Sequence, residues 1–148
     1  MVALQLRRLL TTAGADGSGQ VRLRADVQLP APLGFDIHTD TLILVLRGRR
    51  GEVLRATVAP GDWQVLDASE QSLRANVRDG SRQAQFSVRR APDRLDLWLR
   101  GYGADLWALD GEELTAAAQI GAVHARESVP LVMRGRVTRA VKDASRVP

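Results

Sequence analysis

An all-β fold, an antiparallel β-sandwich of about nine or ten strands with an internal pseudo-repeat, is what this sequence predicts. Three observations lead there. Apolar and polar residues alternate over short runs, as in Val21, Leu23, Ala25 and Val27 against Arg22, Arg24, Asp26 and Gln28, so one set faces a core and the other faces water. Turn-forming residues interrupt these runs about every eight to twelve residues. The second half then repeats the apolar pattern of the first at an offset of about 74 residues.

Each element follows from local pattern. Val2, Leu4 and Leu6 form a short N-terminal alternation, and Gly14-Ala15-Asp16-Gly17-Ser18-Gly19 after it reads as a flexible turn. The strand around Val21 to Val27 ends at Pro30 and Pro32, which cannot continue a ladder, and Leu33-Gly34-Phe35-Asp36 makes an extended connection. Thr41 to Leu46 is a nearly continuous branched apolar run, as in a central strand covered on both faces. It turns at Arg47-Gly48-Arg49-Arg50-Gly51-Glu52 and returns through Val53 to Val58, stopping at Pro60-Gly61. Shorter strands are expected at Trp63 to Leu66, Leu73 to Val77 and Gln83 to Val88, with Asp79-Gly80 as a hairpin signal. Leu95, Leu97 and Leu99, alternating with Arg94, Asp96, Trp98 and Arg100, mark the clearest strand of the second half. Glu113 to Ile120 and Ser128 to Met133 follow, with Gly121 to Glu127 as their turn; the alanine run Ala116 to Ala118 is the one stretch with a competing helical reading.

The repeat superposes Val21, Leu23 and Ala25 on Leu95, Leu97 and Leu99, and Phe35-Asp36 on Leu109-Asp110. After a two-residue deletion, Leu42, Leu44 and Leu46 fall on Leu114, Ala116 and Ala118. Two copies suit a pseudo-symmetric sandwich and not a solenoid, which needs about three. The expected organisation is an N-terminal strand and glycine-rich hinge over 1–18, a sandwich domain over 19–136, and a C-terminal tail over 137–148.

Beyond this sheet grammar, Val21-Arg22-Leu23-Arg24, Phe35-Asp36-x-x-Thr39-Asp40-x-Leu42, Gly51-x-Val53-Leu54-x-Ala56-Thr57-Val58 with Pro60-Gly61-x-Trp63, and Leu95-x-Leu97-x-Leu99-Arg100-Gly101 resemble β-sandwich modules of secreted bacterial proteins. The resemblance covers most of residues 19–133. It implies an extracellular or cell-surface setting without catalysis, and it transfers no functional residue.

Composition narrows the chemistry. At 148 residues, with 45% hydrophobic and 26% charged, the chain has the size and make-up of one globular domain that buries a core unaided. Cysteine is absent, which removes disulfides and thiolate metal sites. No apolar run approaches the roughly 18 residues of a membrane span. Met1 to Arg8 is broken by arginines too early to read as a signal peptide, so a secreted form is expected to be the mature chain. A net charge of +4 raises nucleic acid as a partner, yet 17 acidic residues interleave with the bases, Lys142 is the sole lysine, and aromatics for stacking are few. Nucleic acid is therefore disfavoured.

No catalytic residue is assigned. There is no Gly-x-Ser-x-Gly elbow, His38 and His124 are the only imidazoles, and the carboxylate neighbours Asp36 with Asp40, Asp105 with Asp110 and Glu112 with Glu113 read as turn acids before they read as acid–base pairs. No cofactor motif occurs. Asp36, His38 and Asp40 would share one face of an extended segment, making them the candidate metal ligands beside a plainer role at the start of a strand. Trp98 lies opposite the apolar set and shares its face with Arg94, Asp96 and Arg100, which together form the candidate binding face for a sugar or a partner. Trp63 and Trp107, beside apolar neighbours, are expected in the core. Val2, Leu4 and Leu6 are the candidate assembly strand, able to pair within the chain or on a neighbour's edge.

The expected function is thus a non-catalytic structural or interaction module of an extracellular protein, binding a protein partner or copies of itself as a surface or filament subunit. A carbohydrate-binding module using Trp98 is the alternative, and a hydrolase comes third.

Overall fold

The computed structural model describes residues 4–13, 18–29, 35–69, 71–79, 82–106, 109, 113–134 and 137–140. The strands are β1 (Leu4–Ala13), β2 (Ser18–Gln28), β3 (Leu42–Gly48), β4 (Gly51–Val58), β5 (Gln64–Val65), β6 (Ser72–Asp79), β7 (Arg82–Ala91), β8 (Arg94–Asp105), β9 (Glu113–Ile120), β10 (Val123–Arg134) and β11 (Val137–Ala140), with a 3-10 turn at Pro60–Asp62. Among the described residues no helix is long and apolar enough to cross a membrane.

Hydrogen bonding joins the strands in the order β4-β3-β9-β10-β11-β1-β2-β8-β7-β6-β5, and each neighbouring pair is antiparallel. The ladder folds over at β10, whose first part, Val123 to Pro130, pairs with β9 while Leu131 to Arg134 pairs with β11. Two sheets result. A smaller one, β4-β3-β9-β10, packs against a larger one, β11-β1-β2-β8-β7-β6, with the two-residue β5 at its margin.

The period of two builds the core between them. Leu42, Leu44, Leu46, Leu54, Leu114 and Ile120 point in from the smaller sheet, and Leu6, Val21, Leu23, Phe86, Leu95 and Leu97 from the larger. Each fully buried leucine contributes about 1.5–3 kcal/mol relative to exposure. Gly101 in β8 lets the sheets approach closely: a Cβ there would stand 2.5 Å from Cδ2 of Leu54 in β4.

Strand registers carry the sequence repeat into three dimensions. Arg24 in β2 lies directly opposite Trp98 in β8, and Val45 in β3 directly opposite Ala117 in β9; each is its own counterpart in the superposed halves. The halves are therefore arranged about a pseudo-twofold axis through the middle of both sheets. Under it β1, β2, β3, β4 and β6 correspond to β7, β8, β9, β10 and β11. Each half's fifth strand pairs with the first strand of the other: β6 with β7, and β11 with β1.

Several expectations are corrected. The boundaries at 18/19 and 136/137 are not boundaries of the sheet, because β1 pairs with β2 and β11 takes the other side of β1 through Leu10, Thr11 and Thr12. The turn expected over Gly121 to Glu127 shrinks to Gly121-Ala122, since Gly121 takes the positive φ of 57° that a tight reversal needs, and Val123 begins a strand whose solvent side is polar. The strand expected over Trp63 to Leu66 is only Gln64–Val65 after the 3-10 turn. The alanine run is strand, with Ala116 and Ala118 buried where β9 is flanked on both edges.

At β1 a bulge between Leu6 and Arg8 turns both Arg7 and Arg8 to the surface. Beyond the short β11 pairing, Leu6 lacks a strand neighbour on that side, and its N–H donates instead to the Glu127 carboxylate from β10. A side chain thus supplies the bond that the ladder does not.

Candidate functional site

Three sets of residues stand out in the sequence, and the structure treats them differently. The Asp36, His38, Asp40 segment is not extended: residues 37–39 form a turn. Its carboxylates are directed at backbone, Asp36 Oδ1 accepting from the His38 N–H at 2.9 Å and Asp40 Oδ2 from the Asp36 N–H at 2.9 Å. The His38 N–H bond is the leading reason that the Asp36 carboxyl sits below the ordinary aspartate value. Among the described residues no group of three ligand side chains converges on a metal position. The extended geometry behind the metal reading is absent, because the turn's own amides claim both carboxylates.

Leu4 and Leu6 of the candidate assembly strand are buried in the chain's own core; Val2 lies outside the described residues, as do Trp107, Asp110 and Glu112. Trp63 packs edge-on against Phe35 and Phe86, with ring centroids 5.8 and 6.4 Å away, as a core residue does.

The third set comes together. Trp98, 37% exposed, stands at the middle of the outer face of the larger sheet, where the pseudo-twofold axis emerges. Its row runs across four strands as Ser87, Trp98, Arg24 and Arg8, and the adjoining row as Gln85, Arg100, Arg22 and Leu10. Neighbouring strands lie about 4.8 Å apart and successive rows about 6.8 Å apart. All of these but Leu10, with Arg7, line a depression of about 520 Å³. The Arg24 guanidinium sits 5.3 Å from the Trp98 ring centroid, a cation–π contact. Sequence pattern identified Trp98 and Arg100 here. It missed Arg7, Arg8, Arg22, Arg24, Gln85 and Ser87, which come from other strands; the polar set of β2 was legible, but its register against β8 was not.

On the other side of Trp98 the adjoining row sets Asp26 directly opposite Asp96, each with a side chain only 10% and 13% exposed. Arg7 Nε donates to Asp26 Oδ2, and Arg94 Nε donates to Asp96 Oδ1 at 3.0 Å, so the expected binding residues Arg94 and Asp96 are occupied with each other. Burial opposes the Asp26 charge, but the Arg7 hydrogen bond, a hydrogen bond from Asp96 and the nearby arginines outweigh it and hold Asp26 below the ordinary aspartate value. Burial, and then the hydrogen bond to Asp26, push Asp96 above it. Of the two, Asp96 is therefore the one that takes up a proton first as pH falls.

That assignment fixes the sign of a pH effect. Asp26, lowered, stabilises the fold above the ordinary aspartate range and loses that contribution as pH falls below it. Asp96, raised, costs stability as pH rises from the ordinary aspartate range through its own higher value. Asp96→Asn keeps an N–H donor toward Asp26 and removes that cost, forfeiting only an ion pair with the half-exposed Arg94 worth about 0–1 kcal/mol. The variant is expected to match or exceed the parent in denaturant unfolding at pH 7 and to flatten the decline in stability that sets in as pH rises out of the ordinary aspartate range. A parent-like pH slope in the variant would contradict the assignment.

A second depression, of about 680 Å³, lies on the outer face of the smaller sheet. Its floor is Ile43, Val45 and Ala117, with Arg55 and Arg126 at its rim. Arg55 is held by Glu52 through bonds of 2.9 and 2.6 Å, and Gln119 and His124 complete the lining.

Compared with known proteins, the chain matches no family model, and neither a curated protein nor a solved structure is similar enough to it to suggest a relationship.

Proposed function

We propose that this domain is a non-catalytic binding module, acting at the cell surface or outside the cell, that holds a glycan on the outer face of its larger sheet. The observation that carries this reading is the exposed Trp98 ring in a depression bounded by Ser87, Gln85 and guanidinium groups. An indole stacks on the apolar face of a sugar ring, and neutral and cationic donors around it meet hydroxyls. Strands hold these groups at fixed spacing, so little ordering cost falls on binding. The absence of a catalytic motif in the sequence supports a binding role, as does the way Asp26 and Asp96 are tied to each other and to arginines. The extracellular setting comes from the resemblance of the sheet pattern to secreted modules.

A glycan array read by tryptophan fluorescence tests the proposal. Trp98→Ala is expected to weaken any glycan found by at least about tenfold while changing fold stability by less than about 1 kcal/mol, since the side chain faces solvent. Binding that survives the substitution would reject Trp98 as the platform.

A further inference from the structure

We infer that the ligand of the Trp98 face is an acidic polysaccharide, whose carboxylate or sulfate groups meet Arg8, Arg22, Arg24 and Arg100 while one sugar ring lies on the indole. The inference rests on the glycan-binding reading above and adds the charge class of the ligand.

Its basis is an arrangement that disfavours the protein alone. Arg22 lies directly opposite Arg100, and in the next row Arg24 lies directly opposite Arg8. Like charges facing each other across antiparallel strands are destabilising. Three strand arginines by contrast bind a carboxylate directly: Arg7 binds Asp26, Arg94 binds Asp96 and Arg55 binds Glu52. Among the described residues no salt bridge joins Arg8, Arg22, Arg24 or Arg100 to a carboxylate; Arg24 acts on Asp96 only through its field, while Asp26 and Asp96 are bound directly by Arg7 and Arg94. Four cations that form no salt bridge among the described residues, on two adjacent rows around one exposed ring, make a site that an anion completes.

Geometry separates the anionic polymers. The planar guanidinium fork suits carboxylate, sulfate and phosphate alike. Single-stranded nucleic acid, however, is held by successive aromatic platforms for successive bases, and this face offers one ring. Gln85 and Ser87, one on each row, add neutral groups suited to hydroxyls. One ring platform, neutral donors and cations rooted on backbone positions about 5–7 Å apart match a chain that carries both hydroxyls and charges on sugar rings. The Asp26–Asp96 row bounds the cationic strip, so the charged groups lie on the Arg22–Arg100 side of Trp98.

The test titrates the full chain with oligogalacturonate, oligoguluronate, a hyaluronan oligosaccharide and a heparin oligosaccharide, alongside carboxyl-reduced oligogalacturonate and oligothymidylate. Tryptophan fluorescence and a calorimetric signal are both followed. At least one acidic glycan is expected to bind at least about tenfold more tightly than the neutral reduced form, and to weaken about tenfold or more between 50 and 500 mM salt. Arg22→Gln with Arg100→Gln should remove most of that preference without lowering the melting temperature, because it relieves a repulsion. Equal binding of neutral and acidic forms would overturn the charge class and leave the Trp98 reading standing. Failure of every glycan would overturn both, and tighter binding of oligothymidylate than of any glycan would assign the face to nucleic acid instead.

Discussion

Leu97→Asp is expected to abolish the fold. Leu97 has no exposed surface, pairs with Ala25 on one side and Val88 on the other, and points from the centre of β8 into the layer between the sheets. Removing a buried leucine costs about 2–5 kcal/mol by itself. An aspartate there must also be buried without a partner or drive the sheets apart to reach water, adding several kcal/mol. A domain of this size has about 5–15 kcal/mol in total. Circular dichroism and a melting curve should show no cooperative transition. Leu97→Ala, which creates only a cavity, should melt early but cooperatively, and a native-like melt for the aspartate variant would refute the inward assignment. The neighbouring Trp98→Ala is expected to be nearly silent in the same assay, because one step along a strand exchanges core for solvent.

Deleting residues 4–13 is the second severe change. It removes the buried side chains of Leu4, Leu6 and Leu9 and strips both β2 and β11 of their partner. β1 lies inside the larger sheet, so its loss exposes the edge of β2 and leaves β11 attached only through β10. The shortened chain should be insoluble or lack a cooperative melt. A soluble, cooperatively folding product would show that β1 is an accessory strand, as a donated strand would be.

The sequence made the strands legible wherever one face is plainly apolar and the other plainly charged. β2 and β8 are such cases, and their parity placed Leu97 inside and Trp98 outside. It misled where small or mixed residues blur that contrast. Val123 and Ala125 alternate with His124 and Arg126 as a strand should, but the acid at Glu127 and the glycine at Gly121 made the stretch look like loop. The repeat was visible as an offset, yet nothing in one dimension says that Arg24 would face its own counterpart Trp98. Register is a property of paired strands, and for that reason the Trp98 face is only half legible in the sequence: its residues on β8 stand out, and its arginines on β1 and β2 do not. The bulge that turns out Arg7 together with Arg8 has no local signature at all. The Asp36-x-His38-x-Asp40 spacing pointed to a metal only under the assumption of extended backbone, which the turn removes.

The exchange of fifth strands between the halves bears on how the chain assembles as it leaves the ribosome. β1 emerges first among the described strands, and β2 joins it by a short connection. The opposite side of β1 stays uncovered until β11, the last strand described, has been made. Nearly the whole domain is synthesised in between. A nascent chain therefore carries an open sheet edge throughout the synthesis of β2 to β10, the condition in which β-rich intermediates pair with the wrong strand. The Leu6 amide that Glu127 caps lies on that same edge. Closure from β11 back to β1 makes this a high-contact-order topology, in which folding is slow and is completed only once β11 has been made.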